Sequence, residues 1–227
     1  TREWDWEAAE RHLGRALVLA PRDPRVHLVR AFHAASLGRH EEALAAGALA
    51  RELDPLSALV QGDLAFLHFL AGDWIGVLRE SERLLALEPE HGPARSLYLE
   101  ALLRTERWEE GRTVAMALLG DEATALATVP GGELHARYLE IQRRRWQAAA
   151  PGAVRSMVLA SVAAQQGARE EALQHLGDAV ERSSAYLPFV PVDPHFGLLA
   201  RETAWRRLLL AAGHPLASSQ AMRLAAR

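Results

Sequence analysis

The chain has 227 residues, 49% hydrophobic and 24% charged, which is enough apolar material for an ordered domain and too much for a disordered one. Its net charge of -3 denies it the overall basic field that draws phosphate backbones, so direct nucleic-acid binding is not expected. Without Cys it forms no disulfide, thiolate metal site or thiol nucleophile, and no apolar run reaches the roughly 20 residues that span a bilayer, so no membrane partner is expected either.

Pro21, Pro55 and Pro89 are evenly spaced and rule the first half of the chain. Ahead of them, Ala9, Leu13 and Ala16 align with Ala43, Gly47 and Ala50 and then with Val77, Ser81 and Leu84. Trp6, His40, Trp74 and Trp108 follow the same period, each beside a turn. A period of about 34 residues marks helical hairpins that bury their faces by stacking on one another. The spacing predicts first helices over Pro24–Leu37, Ser57–Ala71 and Pro93–Arg104, and second helices over His40–Leu53, Trp74–Leu87 and Trp108–Leu119. Each hairpin turns at a Gly or its equivalent and is closed by a Pro that cannot continue a helix. The fourth unit lacks its Pro and is expected to end near Gly120.

The register then breaks. The pattern of Gly111 returns at Ala172, later than one period allows by the length of a loop and a long helix. The extra segment, about 121–150, holds the loop Thr128–Gly132 and a predicted helix over Glu133–Ala149. A last hairpin is expected over Ala153–Gln166 and Ala168–Ser183, with Pro151 tolerated at its start. After Ser184, the run from Tyr186 to Phe196 carries three prolines and is predicted to be an extended strap. A short helix over Glu202–Ala212, with Trp205, Leu208 and Leu209 on one face, then caps the array. One domain is expected, with the array over 1–184 and the strap and cap over 185–227.

Ala9, Leu13, Ala16 and Pro21 resemble the tetratricopeptide repeat, which places a small residue, a bulky one four on, a small one three further and Pro five after that. This chain departs from the pattern with Gly47 and Ser81 at the bulky position and Val77 and Leu84 at small ones. The resemblance implies an all-α right-handed superhelix, an α-solenoid of helical hairpins, here with an inserted helix and a C-terminal cap. Asp193, Pro194, Phe196, Trp205, Leu208 and Leu209 resemble the end of repeat regions in bacterial multidomain regulators, namely winged-helix transcription activators, class III adenylate cyclases and serine/threonine kinases. That likeness implies a regulatory part of a signalling or transcription protein whose effector domain precedes the repeats. The opening at Thr1 without an initiating Met, and inside a repeat, is read the same way. Positive charge comes from Arg alone, with no Lys and no Asn, a bias read as GC-rich bacterial coding, and a cytoplasmic location is expected.

No constellation suggests catalysis. There is no Gly-x-Ser-x-Gly elbow and no phosphate loop, and Gly131-Gly132 reads as an ordinary turn. The ten His residues lack the three- or four-residue spacing of a helical metal site, and no cofactor is expected. Arg143, Arg144 and Arg145 precede Trp146, but consecutive helical residues diverge by about 100° and form no single patch. Trp6, Trp74 and Trp108, at one repeat position, are read as core.

The expected function is a non-catalytic protein-interaction scaffold. Its groove is lined by the first helices, with Arg25, Leu28, Phe32, Leu59, Phe66, Phe69, Ser96, Glu100 and Arg104 as the partner-binding positions. Relatives that clamp a terminal carboxylate use Lys and Asn there, whereas Leu28, Phe32, Gly62 and Phe66 hold those sites here. An apolar groove suits a protein or peptide segment, an amphipathic helix or another domain of the same protein among them. Either the inserted helix or the strap could equally fill it. The alternative is self-association into a homo-oligomer, since the first repeat has no first helix to cover Leu13, Leu17 and Leu19. Small-ligand sensing in the groove is a third and weaker reading.

Overall fold

The computed structural model describes residues 5–217, and every regular element among them is helical. Eleven α-helices follow in order: α1 (Trp6–Leu19), α2 (Pro24–Ser36), α3 (His40–Leu53), α4 (Ala58–Leu70), α5 (Trp74–Leu87), α6 (Gly92–Arg104), α7 (Trp108–Leu119), α8 (Gly131–Ala148), α9 (Ala153–Gln165), α10 (Arg169–Glu181) and α11 (Thr203–Ala211). Among the described residues the fold is an all-α succession of helical hairpins. No described helix is long and apolar enough to cross a membrane. Helices α2 to α11 all begin and end close to the predicted bounds, because the signals that start and stop them are local. Asp5 accepts from Ala8 N at 2.8 Å, Ser57 Oγ from Val60 N at 3.4 Å, Asp73 from Gly76 N at 2.9 Å and His91 Nδ1 from Ala94 N at 3.1 Å.

The prolines of the ruler do more than stop helices. His27 Nε2 donates to Pro21 O at 2.8 Å, and Gln61, its counterpart one period on, donates from Nε2 to Pro55 O at 3.0 Å. A carbonyl left open at the end of one hairpin is thus satisfied from the first helix of the next.

The described residues form two compact units, one made of Leu13–Ala35 with Arg39–Ile141, the other of 5–12, Ser36–Gly38 and 142–217. In the first unit, α3 to α7 pack in succession and α4 also meets α6, the first helix of the next repeat, while α2 joins them through Leu28, which clusters with Ala50 and Val60. The degenerate repeat positions pack in compensating pairs. A Cβ on Gly47 would stand 2.8 Å from Leu64 and 2.9 Å from Leu67, so two leucines of α4 fill the place of the missing bulky side chain. Leu84, large where a small residue belongs, is fully buried against Gly62, where an added Cβ would meet it at 3.3 Å.

Past α7 the chain makes a 3-10 segment over Gly120–Leu126, and Arg112 holds the loop that follows by donating to Leu126 O and, at 2.7 Å, to Val129 O. Leu134 and Ile141 of α8 enter one apolar cluster with Leu99 and Leu103 of α6 and Ala115 and Leu119 of α7. The inserted helix therefore covers the last hairpin of this unit. Gly131 is not an ordinary turn residue: a Cβ there would lie 2.7 Å from the Trp108 ring, so only Gly lets α8 begin against that face.

In the second unit, α9 and α10 share a core with Leu187, Val190, Phe196, Leu199, Trp205 and Leu209. The strap is not extended, as its prolines suggested. It folds into 3-10 turns at Leu187–Phe189 and Pro194–Leu199, because Pro at the first positions of such a turn has no hydrogen bond to lose. Asp193 fixes the second turn, accepting from His195 N at 2.8 Å and from the Tyr186 hydroxyl at 2.8 Å. The short helix α11 does cap this core, with Trp205 and Leu209 buried and Leu208 partly so.

Candidate functional site

The face made by α2, α4 and α6 carries the predicted groove positions, and the structure places them at different depths. Leu28 and Phe69 are each only 4% exposed. Leu28 packs with Ala50 and Val60, and Phe69 stacks on Phe66 at 5.9 Å between ring centroids and meets Trp74 edge-on at 5.9 Å. Both therefore support the face from below as core residues, and are not the accessible contacts that the repeat register predicts. Phe32 and Phe66 are half-buried, 6.2 Å apart between centroids. Leu59, 61% exposed, and Val29, 58% exposed, stand at the surface. Arg25 is exposed and bound to Asp23 at 2.7 Å, beside an open cleft of about 540 Å³ lined by Arg22, Leu28, Asp54, Leu59 and Val60.

At the α6 end the face turns polar. Arg104 Cζ lies 5.4 Å from the centroid of the Trp74 ring, and its Nε donates to Glu100 Oε1 at 2.8 Å. Glu100 Oε2 also stands 3.9 Å from His135 Nε2 of α8, so the inserted helix borders this end. Ser96 is exposed, and its hydroxyl donates to Gly92 O at 3.2 Å. Trp74 and Trp108, read as core, are half-buried. Trp6, also half-buried, donates from Nε1 to Gly213 O at 3.0 Å and meets the His214 ring at 4.9 Å.

Asp63 of α4 is a further residue of this face, and no sequence motif marks it. It follows Leu59 by four residues and precedes Phe66 by three, and so shares their side of α4. It is partly buried, and burial alone pushes its carboxyl up to about 6. Among the described residues it has no hydrogen-bond or ion-pair partner. The repeat register could have found it, since Asp63 is the counterpart of Val29 and Leu97 and is the acidic member of an otherwise apolar row.

Other polar clusters are satisfied internally. Glu80, fully buried, accepts from Arg51 at 3.0 Å, Arg79 at 2.9 Å and Arg83 at 2.9 Å. Burial works to raise its carboxyl, but the hydrogen bonds from Arg79 and Arg83 outweigh it and hold Glu80 below the usual carboxylate range. His68 Nδ1 pairs with Asp73 at 2.8 Å, and a Cβ on Gly76 would collide with that ring. Ser161, His195 and Asp193 lie together, but Ser161 Oγ at 3.0 Å and Asp193 Oδ1 at 3.2 Å both approach His195 Nδ1. A relay needs nucleophile and carboxylate on opposite ring nitrogens, so this trio works as a structural knot. Arg143 pairs with Glu171 at 2.6 Å and joins Gln166 at 2.9 Å, all three within the second unit.

No family model matches the chain, and no curated protein matches it. Among solved structures it is similar to a chain of "Structure of Naa15/Naa10 bound to HypK-THB", with 19% identity and a TM-score of 0.45. The alignment covers 97% of this chain and 36% of that one, so the chain spans about a third of its length.

Proposed function

We propose that the chain is a non-catalytic protein-interaction scaffold that receives a protein or peptide segment on the face of α2, α4 and α6. One observation carries the reading. An exposed Leu59 and Val29 adjoin a half-buried aromatic pair, an apolar surface whose exposure raises the free energy of the isolated chain and is relieved when the face is covered. The chain's net charge of -3 also disfavours nucleic acid. We further infer a cytoplasmic regulatory part of a larger bacterial signalling or transcription-regulatory protein, on the strength of the Asp193-Pro194-x-Phe196 end and its buried Trp205 and Leu209.

The test is selection of binders from a random dodecapeptide display library against the full chain. Selected peptides should lose at least about tenfold in affinity on Leu59→Glu or Phe66→Glu, while circular dichroism shows the helices intact. Binding unchanged by both variants would remove the face from consideration. Phe69 is unsuitable for this purpose, because a charge at a 4% exposed position unfolds the hairpin instead of blocking it.

A second reading, self-association, is favoured by α1, which has no buried residue and leaves Val18 80% and Leu19 72% exposed. Light scattering of the same samples over a wide concentration range decides it: a strictly monomeric chain removes this reading.

A further inference from the structure

We propose that the segment received by the α2–α4–α6 face carries an arginine, whose guanidinium pairs with Asp63 beside the Phe32–Phe66 rings while the segment's apolar side chains cover Leu59 and Val29. The inference rests on the face being a binding site and specifies the chemistry of what binds there.

The two ends of the same face differ in one component. At the α6 end the chain supplies all three components of a seated cation: the Trp74 ring, the Glu100 carboxylate and the Arg104 guanidinium, with Cζ at 5.4 Å from the ring centroid and Nε at 2.8 Å from Glu100. The planar guanidinium can stack on an aromatic and donate to a carboxylate at once, which an ammonium does less well. On α4 the aromatic and the carboxylate are present, Phe66 one turn from Asp63 and Phe32 6.2 Å from Phe66, but Asp63 has no cation among the described residues. No coulombic partner offsets the effect of burial on its carboxyl. The repeat equivalents on either side, Val29 and Leu97, are apolar and offer none. The guanidinium groups of α2 are committed elsewhere, Arg30 to Glu42 at 3.2 Å and Arg25 to Asp23 at 2.7 Å.

A half-buried carboxylate without a partner costs stability, and a cation brought in from outside offsets that cost while the group stays ionised. An unpaired carboxylate also selects against purely apolar segments, since covering it with hydrocarbon leaves it desolvated and unmatched. The surface therefore discriminates between segments as well as attracting them.

The dodecapeptide library decides the point on the full chain. Enriched peptides should carry Arg between apolar residues, and their affinity should fall about tenfold on Asp63→Asn, with Asp63→Glu restoring most of it. Citrulline in place of that Arg should cost a similar factor on the parent chain and nothing on the Asp63→Asn chain, a coupling that a merely structural role for Asp63 would not produce. Apolar peptides without Arg enrichment, sensitive to Leu59→Glu and indifferent to Asp63→Asn, would overturn the inference and leave the binding face standing. Peptides indifferent to Leu59→Glu and Phe66→Glu, or no enrichment at all, would overturn both.

Discussion

Gly47 and Gly62 show how single residues carry the packing of a degenerate repeat. Each glycine vacates a volume that leucines of the partner helix fill, Leu64 and Leu67 against Gly47, and Leu84 against Gly62. Such exchanges conserve total volume and leave the hairpin packed. Asp63, one residue beyond Gly62, obeys no packing rule of this kind. Its carboxyl is pushed up to about 6 from an ordinary 3.8 by burial, so between those values the folded chain holds a proton that the unfolded chain has released. Stability from this group is therefore complete below about 3.8 and falls as pH rises to about 6. Asp63→Asn is expected to stabilise the chain by about 1 kcal/mol at pH 7, the shift being discounted for partial solvent screening. Thermal melts at pH 7 and pH 3.5 check this: the gain should be present at the first and absent at the second. Equal gains at both would mean that the asparagine acts through packing and that the carboxylate is not strained. Asp63 was hard to read in the sequence because half-burial is a property of the folded neighbourhood, whereas the exposure of an aspartate is the default expectation.

The hairpins turn at equivalent positions, and the chain changes residue at one of them. Gly38, Gly72 and Gly167 occupy the left-handed turn with φ of 73°, 69° and 77°, and Glu106, one period after Gly72, adopts φ 58° in the same role. A side chain in that region costs about 1 kcal/mol relative to glycine. Glu106 is exposed and makes no side-chain hydrogen bond or ion pair among the described residues that would offset the cost. Glu106→Gly is accordingly expected to raise stability by about 1 kcal/mol, read as an increased urea midpoint at unchanged slope. A lower midpoint would show that unfolded-state entropy outweighs the relieved strain. The ends of α2 to α7 were legible because caps, turn glycines and prolines act within a turn of themselves. The strap was not. Its prolines correctly excluded an α-helix, but both an extended chain and a 3-10 turn suit a proline φ, and the choice was made by Asp193, Tyr186 and the α9–α10 surface beneath them. The Glu80 knot was equally invisible, since Arg51 reaches it from another helix far back in the chain.

At the scale of the whole molecule, each compact unit carries an apolar cluster of its own among the described residues. The cluster of α6, α7 and α8 is built from Leu99 through Ile141, and that of α9, α10 and α11 from Met157 through Ala217. Half of the buried members of the second cluster come from the strap and cap, so this hairpin depends on elements that no repeat period describes. His214 is one of its fixed points, buried, with Nε2 donating to Pro188 O at 3.0 Å and Nδ1 accepting from Leu216 N at 3.1 Å. Burial holds its pKa below the ordinary 6.5, against the raising effect of the Pro188 bond, so its contribution to stability is present above 6.5 and is lost as pH falls through the lower folded value. In a repeat array each element answers mainly to its neighbours, and damage to one cluster should stay local. Trp205 tests this, being 3% exposed and 6.1 Å from the Phe196 ring. Trp205→Ala removes a large side chain from a closed core and should cost about 3 kcal/mol. By hydrogen exchange, amides of α9, α10 and α11 should lose protection while those of α4, α5 and α6 keep theirs. A uniform loss across all six helices would mean that the clusters fold as one cooperative body, and the binding face of α2, α4 and α6 would then depend on the cap for its stability as much as on its own hairpins.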